Sequence, residues 1–167
     1  MTLYATVEQN GTHLKRDLTI AQRHGKVYEI HACFPNSGDY HLRIYSKRKG
    51  QERSDQMQWA LGYRVKSTHE VKACQTYPST FQSFQDHAVY LSSPLTGRLQ
   101  SNSQQHFQLL VPGASDVYVM TGDQRILLDS QGDQFSGNIL PQPGDLILFA
   151  KFPDQQKLMG LLQYQVE

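Results

Sequence analysis

The chain has 167 residues, which allows one ordinary domain or two β-sandwiches of about 70 to 100 residues each. Sixteen Lys and Arg residues against fifteen Asp and Glu residues leave a formal charge of +1, so no global field would hold nucleic acid or an acidic membrane. Nine Tyr and seven Phe residues argue against a disordered chain, because disordered segments lack the aromatic residues that build cores.

Alternating apolar and polar residues predict β-strands from one end of the chain to the other. Tyr40, Leu42 and Ile44 share one face of the clearest strand and polar neighbours share the other, which is typical of a half-buried strand. No long segment keeps a helical period, so we predict an all-β sandwich or barrel. The predicted strands are residues 3–8, 27–34, 39–47, 57–66, 89–92, 106–111, 117–121, 134–139, 145–151 and 158–166.

An internal repeat indicates two modules. Residues 35–47 match residues 141–151, and each copy leads to a strand with the pattern Leu-x-Tyr-x-Val, at residues 61–65 and 162–166. The first copy has fewer residues upstream of it and therefore looks short by roughly two strands. An incomplete sandwich exposes a strand edge and an uncovered apolar face, and such edges pair with other chains.

The motifs of both modules resemble the immunoglobulin-like modules of kyphoscoliosis-peptidase-like proteins. In the first module the matching residues are Phe34-Pro35, Gly38, Tyr40, Leu42, Ile44-Tyr45, Lys47, Lys49-Gly50, Trp59-Ala60-Leu61 and Tyr63. In the second module they are Tyr77-Pro78, Phe81, residues 93–97, Leu99, residues 111–114 and residues 149–152. The resemblance implies two tandem immunoglobulin-like β-sandwiches, which we place at residues 1–70 and 71–167.

The same resemblance implies an accessory role. In that family the modules follow a transglutaminase-like domain whose chemistry resides in a papain-like Cys-His-Asp core, with the nucleophilic Cys at a helix N-terminus. This sequence contains no such segment. The resemblance therefore implies a non-enzymatic region that accompanies a transglutaminase-like protein.

The two cysteines, Cys33 and Cys74, are too few for a disulfide framework and fit a reducing compartment slightly better than an oxidising one. Together with the lack of a signal peptide, this slightly favours a cytoplasmic protein. Cys33 lies on a predicted strand, which lacks the electropositive helix end that activates a nucleophile, so we expect a small core residue. A bridge between the two requires Cα atoms within about 7 Å, which the sequence leaves open.

No cofactor, metal or catalytic site is predicted. The seven histidines are scattered without the spacing of metal ligands, and most aspartates adjoin turns, where Asp bonds its own backbone. The seven histidines are His13, His24, His31, His41, His69, His87 and His106. Loop aspartates could also hold calcium, but no Asp-x-Asp-x-Asp run supports such a site.

Two surface features bear on binding. The one clustered charge lies on a predicted loop and consists of Lys47, Arg48, Lys49 and Arg53. These residues are our candidates for contact with an acidic partner. The alternative is a solvated hairpin that discourages edge pairing. Trp59, Leu61 and Tyr63 have core spacing on one strand, so we expect them to be buried rather than to form a stacking platform.

These observations favour a binding or scaffold module that acts by protein–protein interaction, with a transglutaminase-like protein as the candidate partner. A carbohydrate-binding or surface-adhesion sandwich is the alternative of another class, and a Cys-dependent enzyme is a third. We expect no nucleic-acid partner and no membrane span, because net charge is near zero and no stretch reaches about 18 apolar residues. Strand exchange through the open edge would give a homodimer.

Overall fold

The computed structural model describes residues 1–47, 57–68 and 74–167. Its regular secondary structure is almost entirely antiparallel strands, which confirms the all-β prediction. None of the described helices is long and apolar enough to cross a membrane. In chain order, the strands of residues 1–68 are β1 (Thr2–Gln9), β2 (Thr12–His13), β3 (Thr19–His24), β4 (Val27–Ala32), β5 (Gly38–Lys47) and β6 (Gln58–Ser67), with a 3-10 turn at Arg16–Leu18.

The remaining elements begin after residue 78. They are β7 (Ser79–Thr80), the short helix α1 (Gln82–Asp86), β8 (Tyr90–Ser93), β9 (Arg98–Leu99), β10 (Gln105–Leu110), β11 (Asp116–Thr121), β12 (Gln124–Leu127), β13 (Asp129–Gln131), β14 (Gln134–Ile139), β15 (Gly144–Lys151) and β16 (Met159–Val166). The chain divides into two compact units, Met1–Thr76 and Tyr77–Glu167. The predicted module boundary, between residues 70 and 71, lies outside the described residues.

The first unit consists of a four-stranded sheet in the order β2-β1-β5-β6 and the hairpin β3-β4. Its buried apolar residues include Val7 on β1, Ile20 on β3, and Tyr40 and Ile44 on one face of β5. The phenol of Tyr40 donates a hydrogen bond to the carbonyl of Asn36 at 2.9 Å and accepts one from its backbone N–H at 3.0 Å. The buried hydroxyl is therefore satisfied, and it holds the chain just before β5.

The second unit places two sheets around a larger core. One sheet has the order β12-β11-β15-β16-β7, with β9 parallel to β16, and the other has the order β13-β14-β10-β8. Large apolar side chains from both sheets are fully buried, among them Leu91, Phe107, Leu148 and Tyr164. Phe107 and Tyr164 meet edge to face with ring centroids 5.6 Å apart, which is a favourable geometry for two aromatic rings.

Strand order confirms the internal repeat. The sheet β2-β1-β5-β6 has the same order as β12-β11-β15-β16, and the hairpin β3-β4 corresponds to β13-β14. Both hairpins turn on a glycine with φ of +62°, Gly25 and Gly132, a conformation that glycine adopts without steric penalty. The two units thus share six strands in the same arrangement.

The units differ in what surrounds those six strands. In the second unit β14 also pairs with β10, β10 pairs with β8, and β16 also pairs with β7 and β9. Among the described residues of the first unit, β4 pairs with β3 alone and β6 with β5 alone. The first unit therefore has no counterparts of β8 and β10 within its described residues, as expected from its short sequence.

Candidate interaction surface

Strand β6 carries the largest exposed apolar side chains of the first unit. Trp59 is 65% exposed, Leu61 41% and Tyr63 55%. The prediction that these three residues belong to a core is therefore wrong. Their spacing in the sequence is that of a core-facing strand, but all three side chains are exposed.

A bulge separates Trp59 from the other two residues. Leu61 pairs with Ile44 and Tyr63 with Leu42, whereas Trp59 pairs with Tyr45, because the register shifts between Ile44 and Tyr45. Paired residues share a face of the sheet, so Leu61 and Tyr63 lie on the inner face with buried Ile44, and Trp59 lies on the outer face. We call Leu61, Tyr63 and Val65 the inner face of β6.

The second unit has the same bulge and the same pattern, but its copies are buried. Leu162 pairs with Leu148, Gly160 pairs with Phe149, and the register shifts between Leu148 and Phe149. Leu162 is 0% exposed and Tyr164 is 1% exposed. The pairing with the preceding long strand is the same in both units, so the difference lies in the other elements around β16, which also pairs with β7 and β9. In the second unit β10 contributes Phe107, which packs against Tyr164.

The outer face of the first sheet is polar apart from its aromatic residues. Glu8 is almost fully buried and accepts hydrogen bonds from Arg43 Nε at 2.7 Å and from His13 Nε2 at 3.0 Å, the second as an ion pair when His13 is protonated. Both carboxylate oxygens are thereby occupied, which a buried carboxylate requires. The indole of Trp59 lies over Gly62 on this face, 3.7 Å from where a Cβ atom would stand.

The predicted basic cluster is only partly visible. Lys47 is the last residue of β5 and is half-buried. Arg48, Lys49 and Arg53 lie outside the described residues. Their contact with an acidic partner stays a prediction.

The structure pairs the two cysteines. Cys33 and Cys74 form a disulfide with Cα atoms 5.7 Å apart, and both belong to the first unit. Cys33 is half-buried rather than a core residue, and a cysteine in a disulfide has no thiolate to act as a nucleophile. Neither cysteine is therefore poised for the chemistry of a Cys-dependent enzyme in this state.

Within residues 1–47, 57–68 and 74–167, no group of three or more His, Cys, Asp or Glu side chains could hold a metal ion. His106 instead contacts the amide oxygen of Asn138 at 2.8 Å, and His87 stacks on Phe152 with ring centroids 3.7 Å apart. These two histidines have structural partners.

A comparison with protein families agrees with this geometry. Residues 2–78 match the model of the KY-like, immunoglobulin-like domain. The first unit is a KY-like immunoglobulin-like domain. No curated protein matches the chain.

The match confirms the resemblance drawn from Phe34, Tyr40, Trp59 and their neighbours. It covers the unit that has fewer strands among its described residues. The second unit repeats the strand order of the KY-like domain and adds β8 and β10 to it. Sequence reasoning expected an uncovered apolar face in the short first module, but it did not place that face on β6, because Leu61 and Tyr63 have core spacing.

Proposed function

We propose that this chain is a non-catalytic binding module that acts by protein–protein interaction through the inner face of β6. The observation that carries the proposal is the contrast between two copies of one pattern. Leu61 and Tyr63 are exposed, while Leu162 and Tyr164 at the equivalent positions are fully buried. Contiguous exposed apolar side chains are typical of protein–protein interaction sites.

A transglutaminase-like protein is the partner that we propose for this surface. The KY-like match of residues 2–78 supports an accessory role, because such domains resemble modules that accompany transglutaminase-like catalytic regions. Fold analogy does not identify a ligand, so the proposal depends on a binding measurement.

The test is a comparison of matched variants in a pull-down with a transglutaminase-like protein. Leu61→Ser with Tyr63→Ser removes the apolar side chains of the inner face, and we expect it to weaken capture at least about tenfold, as for other interface anchors. Leu127→Ser with Leu140→Ser removes two exposed apolar residues of the second unit and serves as the control. Equal capture by wild type and the first variant would reject the proposed surface.

The basic cluster is a second contact in this proposal. Replacing Lys47, Arg48 and Lys49 with Glu reverses its charge, and we expect slower association with an acidic partner and a weaker dependence on salt. Binding that is unchanged by this triple replacement would assign the cluster to a solvated hairpin instead.

A carbohydrate-binding function is the second candidate, and the exposure of Trp59 favours it. Its indole lies over Gly62 on the outer face, where it offers a planar apolar surface of the kind on which sugar rings stack. A glycan array, with and without calcium, tests this candidate. Binding that Trp59→Ala abolishes would support it, and a blank array under both conditions would count against it.

A further inference from the structure

We infer that the KY-like domain accepts a pair of antiparallel strands from a partner protein, which fill the positions that β10 and β8 occupy in the second unit. The inference rests on the proposed protein-binding function and specifies how the partner binds. The two units share six strands, and the second unit shows which further strands complete that arrangement.

The first support is the edge of β4. In the second unit β14 lies between β13 and β10, and Phe135 and Ile139 of β14 pair with Leu109 and Gln105 of β10. Strand β4 corresponds to β14, and within the described residues it has a strand on one side alone. A partner strand running antiparallel to β4 would extend the hairpin β3-β4 as β10 extends β13-β14.

The second support is the inner face of β6. Tyr63 corresponds to Tyr164, which in the second unit packs edge to face against Phe107 of β10. Tyr63 pairs with Leu42 of β5 as Tyr164 pairs with Leu146 of β15, but Tyr63 remains exposed. One partner strand at the edge of β4 would therefore form backbone hydrogen bonds with β4 and also cover the inner face of β6. A single strand in the position of β10 accounts for both contacts.

The chemistry of the partner follows from β10 and β8. Along β10, Phe107 and Leu109 are fully buried and their neighbours are not, and β8 adds the buried Leu91. The partner segment should therefore be extended, with large apolar residues at every second position and a second strand behind the first.

A second copy of this chain is a poorer donor. Its β10 is already paired with β14 and its β8 with β10, and Phe107 and Leu91 of these strands are in the core of its second unit. Donating them would require that unit to open. Between these two donors, the proposal is a different protein rather than a second copy.

The experiment supplies the missing strands within the full chain. A second copy of residues 88–115 is fused ahead of Thr2, because in the second unit this segment directly precedes β11, the counterpart of β1. Leu61→Cys places a thiol on the inner face, and Trp59→Cys places one on the outer face as the matched control. Both native cysteines are in the disulfide, so each variant has one thiol for labelling with iodoacetamide.

We expect the fused segment to slow the labelling of Leu61→Cys by about tenfold or more, because labelling would then require local opening. Labelling of Trp59→Cys should not change. Serine at the Phe107 and Leu109 positions of the fused copy should restore fast labelling. Hydrogen exchange of the β4 amides in the fused chain without added thiols gives a second measurement, and we expect their protection to increase.

Two results would overturn the inference. One is equal labelling of Leu61→Cys and equal exchange of β4 with and without the fused segment. The other is slow labelling of Leu61→Cys in the chain without the segment, accompanied by the native mass of a dimer, because a second copy would then cover the face. The variant pull-down described under the proposed function is independent of the fused segment, so it distinguishes a failed strand mode from a failed binding function.

Discussion

Tyr63 and Tyr164 occupy equivalent positions, two residues beyond the same bulge, but their surroundings differ. Tyr164 is fully buried, and its hydroxyl donates a hydrogen bond to the carbonyl of Pro94 at 3.0 Å. Burial raises the pKa of Tyr164 well above its ordinary value of 10.0, because the phenolate would lose its hydration. Tyr63 lies in solvent, so the same residue type has a structural role in one unit and is available for binding in the other.

At neutral pH, Tyr164→Phe should lower the free energy of unfolding of the second unit by about 1 kcal/mol, through loss of the hydrogen bond to Pro94. Tyr63→Phe is the matched control and should change stability by less than about 0.5 kcal/mol. Urea denaturation followed by circular dichroism measures both. A loss as large for Tyr63→Phe as for Tyr164→Phe would contradict the burial difference.

The same substitution should change the alkaline pH dependence. In the unfolded chain Tyr164 ionises near 10.0, and in the folded chain its pKa is raised, so its contribution is complete below pH 10 and is lost as the pH rises above that value. Tyr164→Phe should therefore reduce the decline in stability above pH 10. Some decline should remain, because burial raises the pKa of Tyr77 as well. Urea midpoints from pH 8 to pH 11 give the comparison.

At the scale of elements, the bulged strands β6 and β16 show that strand pairing and burial are separate properties. In each unit the pairing register with the neighbouring long strand shifts by one residue, after Ile44 in the first unit and after Leu148 in the second. The bulge directs the pattern Leu-x-Tyr-x-Val to the inner face in both units. Burial of that pattern then depends on whether other strands lie opposite.

Truncation of equivalent leucines tests this difference directly. Leu162→Ala should destabilise the second unit by about 2 to 5 kcal/mol, because it leaves a cavity in a closed core. Leu61→Ala should cost less than about 1 kcal/mol, because Leu61 is already 41% exposed in the folded chain. Chemical denaturation of the two variants provides the measurement. A large loss for Leu61→Ala would mean that the inner face is covered in the free chain.

The long strands were predictable, and the short elements were not. Residues 39–47 and 57–66 alternate clearly, and the structure confirms them as β5 and β6 with shifts of one residue at their ends. Strand β3 (Thr19–His24) and the two- to four-residue strands β2, β7, β9, β12 and β13 were not predicted, nor was α1. Segments this short carry too little periodicity, and tertiary pairing decides their conformation.

The candidate site was predicted in part. The short sequence of the first module indicated an uncovered apolar face, yet Leu61 and Tyr63 were assigned to a core because of their spacing. These two interpretations conflict. In an incomplete sandwich, apolar residues with core spacing have no strand opposite them on the uncovered face, so they stay exposed. Whether the basic residues Arg48, Lys49 and Arg53 contribute to binding stays a prediction, because they lie outside the described residues.

At the scale of the whole molecule, the disulfide belongs to the unit with fewer strands among its described residues. Cys33 and Cys74 are separated by 41 positions, and both lie within Met1–Thr76. A loop of that length stabilises a folded domain by about 4 kcal/mol through its effect on the unfolded chain. The first unit has a small core, so the bridge compensates in part for the strands that the second unit has in addition.

We propose that the two units unfold separately, and the disulfide provides the test. Trp59 is the single tryptophan, so its fluorescence follows the first unit, while the later change in circular dichroism follows the second. A reducing agent should lower the stability of the first unit by about 4 kcal/mol and leave the second transition unchanged. The double substitution Cys33→Ser with Cys74→Ser is the control and should not respond to the reducing agent. Two transitions that shift together would show that the units unfold as one.

The sequence by itself determined the fold class, the internal repeat and the likeness to KY-like domains. These depend on local properties: alternation along a strand, glycine at a turn, and short motifs in a fixed order. Only the tertiary structure decided that Cys33 meets Cys74 and that Leu61 and Tyr63 are exposed while Leu162 and Tyr164 are buried. The physical reason is that burial depends on which strands lie across the sheet, and those strands are distant in sequence from the residues that they cover.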